Sequence, residues 1–312
     1  MPWYSDFESI CQREVPLAQL TSFRLGGPAR FLFTPRSYAE LADLLRRCQE
    51  SGTHYRMLGR GANILADDAG FDGAIIRLSD PAFTNIEIRK TADASFILAG
   101  GGADLGATVR AAVRTGLEGI EGLAGIPATI GGALRMNAGG QFGQIGTAIS
   151  RILVMGHDGR IQWIDKARAG FGYRSSNLGS DFVLAAEFAL VEEDPKVLLD
   201  RYRQVWIYKR QHQPIAQRSA GCVFRNAEGR SAGQMVDQAG CKGLRQGRAE
   251  VSTVHANFIV AGAGCTSADV KGLIKTIRER VFDTFGIWLE PEIEIWLHQA
   301  ANDMEWMKRS CA

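Results

Sequence analysis

What this chain lacks narrows its chemistry first. Its six cysteines, Cys11, Cys48, Cys222, Cys241, Cys265 and Cys311, include no C-x-x-C pair, and its five histidines include no H-x-x-x-H. Structural zinc sites are built from closely spaced ligand pairs, so no metal is expected. Nothing implies an oxidising compartment, and the scattered thiols read as mostly buried and inert. Long apolar runs are missing: "FVLAAEFALV", Phe182 to Val191, falls far short of a membrane span. The first residues, "MPWYSDFESICQREVP", have neither the basic start nor the apolar core of a signal peptide, which makes the cytoplasm the expected compartment. Neither sign of charge dominates, with 36 Lys and Arg against 34 Asp and Glu and a net of +2. That balance gives no reason to expect nucleic acid or an anionic membrane as partner, and no obligate protein partner is evident. Two nucleotide signatures are also absent. The G-x-G-x-x-G fingerprint fails because Ile64 follows Gly59 and Gly61 where a third glycine belongs, and Leu105 does the same after Gly100 and Gly102. No G-x-x-x-x-G-K-[ST] occurs, which excludes a P-loop.

What is present describes a globular α+β protein. A chain of 312 residues, 46% hydrophobic and 22% charged, can bury a large core and has room for two or three domains. "SYAELADLLRRCQESG" predicts a helix: Ser37 caps it, Glu40 completes a capping box, Leu41, Leu44, Leu45 and Cys48 share one face, and Gly52 stops it. "YRMLG" and "GAIIRLS" read as strands, giving a β-α-β opening. "NIEIRK", "SFILAG", "RILVMG", "RIQWID" and "FVLAAEFAL" follow as a more β-rich lobe. In "EDPKVLLDRYRQVWIYKRQ", Asp194 can cap, Pro195 suits the first helical position, and Val197, Leu198, Tyr202, Val205 and Trp206 form a stripe. "TSADVKGLIKTIRERVFDTFG" reads as a further helix and "EIEIWL" as a final strand. The expected division is residues 1–80 and 81–194 as two lobes, 195–299 as a third domain, and 300–312 as a loose tail.

The 36 glycines are clustered. "LGRGANIL" (Leu58–Leu65) and "AGGGADLG" (Ala99–Gly106) each follow a strand, and "GLAGIPATIGGALRMNAGG" runs from Gly122 to Gly140. Without a Cβ, glycine lets main-chain N–H groups approach a phosphate or a ring, although tight turns would also use it. Three such clusters favour a large phosphate-bearing cofactor that is not held by a Rossmann motif.

Taken in order, "TSFRLGGPARF", "LGRGANILADDAGFDGAII", "GLEGIEGLAGIPATIGGALRMNAGG", "FGYRSSN", "SAGCVFRN", "VSTVHANFIV" and "LEPEIEI" resemble the UDP-N-acetylenolpyruvoylglucosamine reductases, from about Thr21 to Leu297. There is no room for the long insertion of one branch, so the chain is similar to the shorter branch. The resemblance implies a two-lobed FAD-binding domain of the vanillyl-alcohol-oxidase type and a C-terminal α+β substrate-binding domain. It implies that Gly59, Gly61, Ala62, Asn63 and Ile64 lie along the FAD diphosphate, and that Ile126, Pro127, Ile130, Gly131, Gly132 and Asn137 line the flavin. NADPH would supply hydride and flavin N5 would pass it on. No histidine or cysteine occurs in Gly59–Asn63 or Gly122–Gly140, so the FAD is expected to be noncovalent. The implied substrate is the enolpyruvyl ether of UDP-N-acetylglucosamine.

Reducing that C=C places negative charge on the carbon beside the carboxylate, which calls for a fixed cation and a proton donor. By resemblance, Arg174 grips the carboxylate or enolate, and Glu292 in "LEPEIEI" assists, protonated or through a partner. Cys222 stands where most members carry the serine that protonates the carbanion. A thiol pKa of roughly 8.5 leaves it protonated and ready to donate at neutral pH. Asn226 and Tyr173 would meet the substrate. His212 occupies the place of a usual diphosphate-contacting lysine two residues before Pro214, so Lys209 or Arg210 takes that contact. His255 is expected to be structural. Another flavoprotein of this fold, or a non-catalytic flavin or nucleotide-sugar binder, stays open at this point.

Overall fold

The computed structural model describes residues 2–90 and 95–298. The expected tail at 300–312, with Cys311, lies outside the described residues. The chain divides into two compact units, each assembled from three stretches. The first comprises Met1–Gln12, Leu32–Arg60 and Ile75–Lys209; the second comprises Arg13–Phe31, Gly61–Ala74 and Arg210–Ala312. This differs from the consecutive lobes expected, and the reason is long-range pairing. The strand Glu294–Trp296 lies parallel to Ile64–Ala66, with Ile295 opposite Leu65, which draws an early segment into the later unit. Asp68 reinforces it: its carboxylate accepts from the Ser267 N–H and hydroxyl, each at 2.9 Å, at the start of the helix Ser267–Phe285. Lys271 on that helix reaches Asp67 at 2.7 Å.

The first unit is built on an antiparallel sheet in the order Ile161–Asp165, Ile149–Met155, Phe182–Glu192, Ser95–Gly100, Ile86–Lys90. Leu117–Glu118 adds to the far end of the long central strand. The apolar run at Phe182–Ala186 is buried because that strand is flanked on both sides, and Ile97, Val109, Ile152, Val154 and Phe188 close the core around it. Burying a side chain of this size contributes about 1.5–3 kcal/mol. The helix Leu105–Thr115 begins where Asp104 accepts the Ala107 N–H and ends at Gly116 with φ +70°.

The helix Tyr38–Glu50 is where its periodicity predicts, with Ser37 accepting from the Glu40 N–H and Leu41, Leu44, Leu45 and Cys48 buried. One detail differs. The Glu40 carboxylate takes the main-chain N–H of Arg36 at 2.6 Å instead of closing a box on Ser37, because Arg36 also offers its guanidinium at 3.0 Å. The helix Pro195–His212 buries only Leu198 and Val205 of the predicted stripe, and Val197 is exposed.

In the second unit, Arg245–Gln246, Ala249–Val251 and Ile259–Ala261 form a small antiparallel sheet. The helix Ser267–Phe285 turns Val270, Leu273, Ile274, Ile277 and Val281 into the core shared with Phe224, Val236 and Val251. A full capping box between Thr266 and Asp269 starts it. Among the described residues, no helix is long and apolar enough to cross a membrane, and no cluster of three or more His, Cys, Asp or Glu could hold a metal ion.

Candidate active site

In the first unit, Tyr173 and Arg174 form the tip of a tight hairpin. Gly172 and Ser175 flank it and exchange both main-chain bonds, at 3.0 and 3.4 Å. Arg174 has φ +51°, a left-handed backbone that a side chain with Cβ rarely adopts. Such strain is typically held in place by the surroundings at functional sites. Here the holder is Asn137, wholly buried, whose Nδ2 donates to the Gly172 carbonyl at 2.8 Å and to Gln144 Oε1 at 3.1 Å, while its Oδ1 accepts the Gly146 N–H at 3.0 Å. The Arg174 guanidinium lies 5.4 Å from the centroid of the exposed Tyr173 ring.

Two members of the glycine clusters also carry a packing load. A Cβ on Gly61 (φ +62°) would sit 2.2 Å from the Leu20 carbonyl oxygen, and one on Gly101 would sit 1.9 Å from that of Val183. Both glycines therefore let one main chain pass against another. Ile130 and Asn137 lie deeper than their neighbours in the cluster. Each has no exposed surface, Ile130 being packed into the core and Asn137 hydrogen-bonded through both ends of its amide. Ile126 and Gly131 are half-buried, and Pro127 and Gly132 are exposed. Thr129, which sequence reasoning passed over, caps the helix Ile130–Arg135 through the Gly132 N–H.

Lys209, also in this unit, is half-buried with its Nζ on the Ala124 carbonyl at 2.5 Å. Burial pulls its pKa down to about 8. It anchors the Gly122–Pro127 loop to the helix Pro195–His212.

The second unit brings together three of the predicted residues by main-chain pairing. The segment Gly221–Asn226 runs antiparallel to Glu290–Glu292: Arg225 N–H donates to the Glu290 carbonyl at 2.9 Å, and Glu292 N–H donates to that of Val223 at 2.7 Å. On the other side, Asn63 Nδ2 donates to the Glu292 carbonyl at 3.1 Å and the Asn63 carbonyl accepts the Glu294 N–H at 2.8 Å. Cys222 and Glu292 are both half-buried and sit one residue apart in this register, with the glycine loop alongside. Cys222 also bridges to Phe258, and Phe224 to Pro291. Burial pushes the thiols of Cys48 and Cys265 up to about 12 and about 11.

Asn226 is exposed at the start of an Ala227–Arg230 turn, and its Oδ1 accepts the Ala232 N–H at 3.0 Å. Arg210 and His212 are exposed. His255 is half-buried, accepts the Asn257 N–H on Nδ1 at 3.2 Å, and is held below its usual pKa by desolvation, in keeping with a structural role. Asn257 is the residue that the sequence did not single out. It is buried and touches the Cys222 segment at three points.

A family model described as UDP-N-acetylenolpyruvoylglucosamine reductase, C-terminal domain, matches residues 213–296, and one described as FAD binding domain matches residues 29–165. The chain is 37% identical over 293 residues to the UDP-N-acetylenolpyruvoylglucosamine reductase of Heliobacterium modesticaldum, covering 93% of this chain and 92% of the relative. This chain belongs to the UDP-N-acetylenolpyruvoylglucosamine reductase family. Reductase 2 of Symbiobacterium thermophilum is 38% identical over 289 residues, covering 92% of each. The crystal structure of the Thermus caldophilus reductase superposes with a TM-score of 0.79 at 35% identity, covering 91% of this chain and 98% of that one.

The residues present fit the FAD that this family membership and the FAD-binding model imply. Among the described residues, the N–H groups of Gly61, Ala62 and Asn63 donate to no protein acceptor. In the first unit the same holds for Gly59 and Arg60. Successive unsatisfied N–H groups at a positive-φ glycine form a concavity suited to anionic oxygen, as on a diphosphate.

Proposed function

We propose that this chain reduces UDP-N-acetylenolpyruvoylglucosamine to UDP-N-acetylmuramate, using noncovalent FAD with NADPH as hydride donor, in the cytoplasm. The observation that carries this reading is 37% identity to a reductase over 93% of the chain, with the FAD-binding match inside it. When bound, FAD supplies the hydride that adds to the terminal alkene carbon. Gly59, Gly61, Ala62 and Asn63 hold its diphosphate, and Ile126, Pro127, Gly131 and Gly132 its ring end.

Arg174 holds the substrate carboxylate and stabilises the charge that spreads into it as the alkene is reduced. Its guanidinium is charged at every accessible pH and can bond both oxygens. The strained hairpin tip supports this role, since a preset cation costs no reorganisation during reaction. Cys222 gives its Sγ proton to the carbon next to the carboxylate, and the resulting thiolate regains a proton from solvent. Glu292 acts as a neutral acid or through a partner, because a bare carboxylate would repel the enolate. Tyr173 orients the substrate, and Asn226 and Arg210 contact its diphosphate.

The test is anaerobic. Purified protein should show a visible flavin band that NADPH bleaches and UDP-N-acetylenolpyruvoylglucosamine restores, with a product two hydrogens heavier by mass spectrometry. A bleached band that the enolpyruvyl nucleotide leaves unchanged would refute the assignment.

A further inference from the structure

The Cys222 segment is held by a side chain that imitates a strand. Asn257 is 4% exposed, and its carboxamide faces the peptide groups of Phe224: Oδ1 accepts the Phe224 N–H at 2.9 Å, and Nδ2 donates to the Phe224 carbonyl at 2.8 Å. The Asn257 carbonyl accepts the Val223 N–H at 2.8 Å. Phe224 is itself 1% exposed, so neither of its main-chain groups can turn to water instead.

The need for this clamp follows from the opposite flank. Phe224 faces Pro291 as a non-hydrogen-bonded pair, the bonds to that flank being made by the Val223 carbonyl and the Arg225 N–H, so the N–H and C=O of Phe224 point the other way. The flank that carries Glu292 therefore leaves the polar groups of Phe224 unanswered, and one amide on the other side answers both. An amide does this because it presents a donor and an acceptor in one plane. A carboxylate would present two acceptors, and an aliphatic residue would present nothing. Asn257 is fixed in turn, since its own N–H donates to His255 Nδ1 at 3.2 Å. The segment from Cys222 to Phe224 is thereby fastened on two sides, by Asn257 with the Phe258 bridge and by the Glu290–Glu292 run.

We propose that Asn257 is a positioning residue for Cys222, fixing the strand from which the thiol delivers its proton. This rests on the assignment of Cys222 as proton donor. The two half-reactions separate the positioning role from a merely structural one, because reduction of the bound flavin by NADPH needs no proton from Cys222.

The experiment measures both half-reactions by anaerobic stopped flow in Asn257→Ala and in the milder Asn257→Ser, which keeps one acceptor for the Phe224 N–H. It adds the rate at which iodoacetamide alkylates Cys222, followed by peptide mass spectrometry. Flavin reduction should stay within about twofold, while reoxidation by the enolpyruvyl nucleotide falls by about tenfold or more in the alanine variant and less in the serine variant. A solvent deuterium isotope effect on reoxidation should grow, and the alkylation rate should shift severalfold. Equal loss of both half-reactions, reoxidation within twofold of the parent, or failure of both variants to fold would each overturn the positioning role. If Cys222→Ala itself reoxidises at the parent rate, the assignment of the donor is what fails.

Discussion

In the first unit the candidate cation, Arg174, sits at the tip of a two-residue hairpin with an unfavourable backbone. In the second unit the candidate donor, Cys222, and its neighbour Glu292 lie on extended segments paired to each other. Each arrangement depends on one buried asparagine, but the two work differently. Asn137 bonds beneath the hairpin, to Gly172, Gly146 and Gln144, and so supports a strained turn from its base. Asn257 bonds along the strand, to both peptide groups of Phe224, and so replaces a missing ladder partner. A charge that must reach a ligand can be placed on a projecting turn. A thiol that must meet one carbon calls for a fixed strand.

The largest effect should come from the tip. Arg174→Ala should lower kcat by about 10³ in steady-state assays with NADPH and the enolpyruvyl nucleotide, with flavin binding unchanged, as expected for removal of preset electrostatic stabilisation. Arg174→Lys should recover only part of this, because an ammonium cannot bond two carboxylate oxygens in parallel. On the strand side, Cys222→Ala should lose about 10²–10³ in turnover, while Cys222→Ser keeps measurable activity and loses sensitivity to thiol reagents.

Asn137→Ala probes the base of the hairpin through stability. It leaves the Gly146 N–H without its acceptor and strips the stronger bond from the Gly172 carbonyl, so about 2–4 kcal/mol should be lost, lowering the melting temperature by roughly 5–10 °C in calorimetry. An unchanged melting temperature would remove the basis for comparing the two asparagines.

The smallest effect concerns Lys209. Its pKa is about 8 in the folded chain against a usual 10.5. Between these values the unfolded chain still holds a proton that the folded chain has released, so this group's contribution to stability rises with pH across that window. Below about pH 8 both states are protonated and the burial penalty is full. Lys209→Met should therefore flatten the rise between pH 8 and 10.5 in denaturant titrations, with little net change at pH 7 because the relieved burial penalty is offset by loss of the bond to the Ala124 carbonyl.

Local signals in the sequence were enough for the local features. Ser37 and the leucine stripe locate the helix Tyr38–Glu50, and Asp194 does cap the helix that follows, accepting the Lys196 N–H at 2.8 Å. Glycine clustering marked the loops, but the reason for Gly61 and Gly101 is crowding by carbonyls from distant segments, which no local pattern reveals. Division into units escaped for the same reason: Ile64–Ala66 pairs with Glu294–Trp296, far along the chain. Of the candidate site, the sequence could name only residues inside recognisable motifs. Asn257 also lay in such a motif, yet its partner Phe224 is 33 positions away, and nothing in "VSTVHANFIV" indicates which main chain the amide will satisfy.

The most direct measurement mixes reduced protein with the enolpyruvyl nucleotide in the absence of oxygen and compares the parent chain with Cys222→Ser and Cys222→Ala. Flavin reoxidation should be fast in the parent, slower in the serine variant and about 10²–10³ slower in the alanine variant, with reduction by NADPH equal in all three. Reoxidation of the alanine variant at the parent rate would contradict the proton-donor role of Cys222.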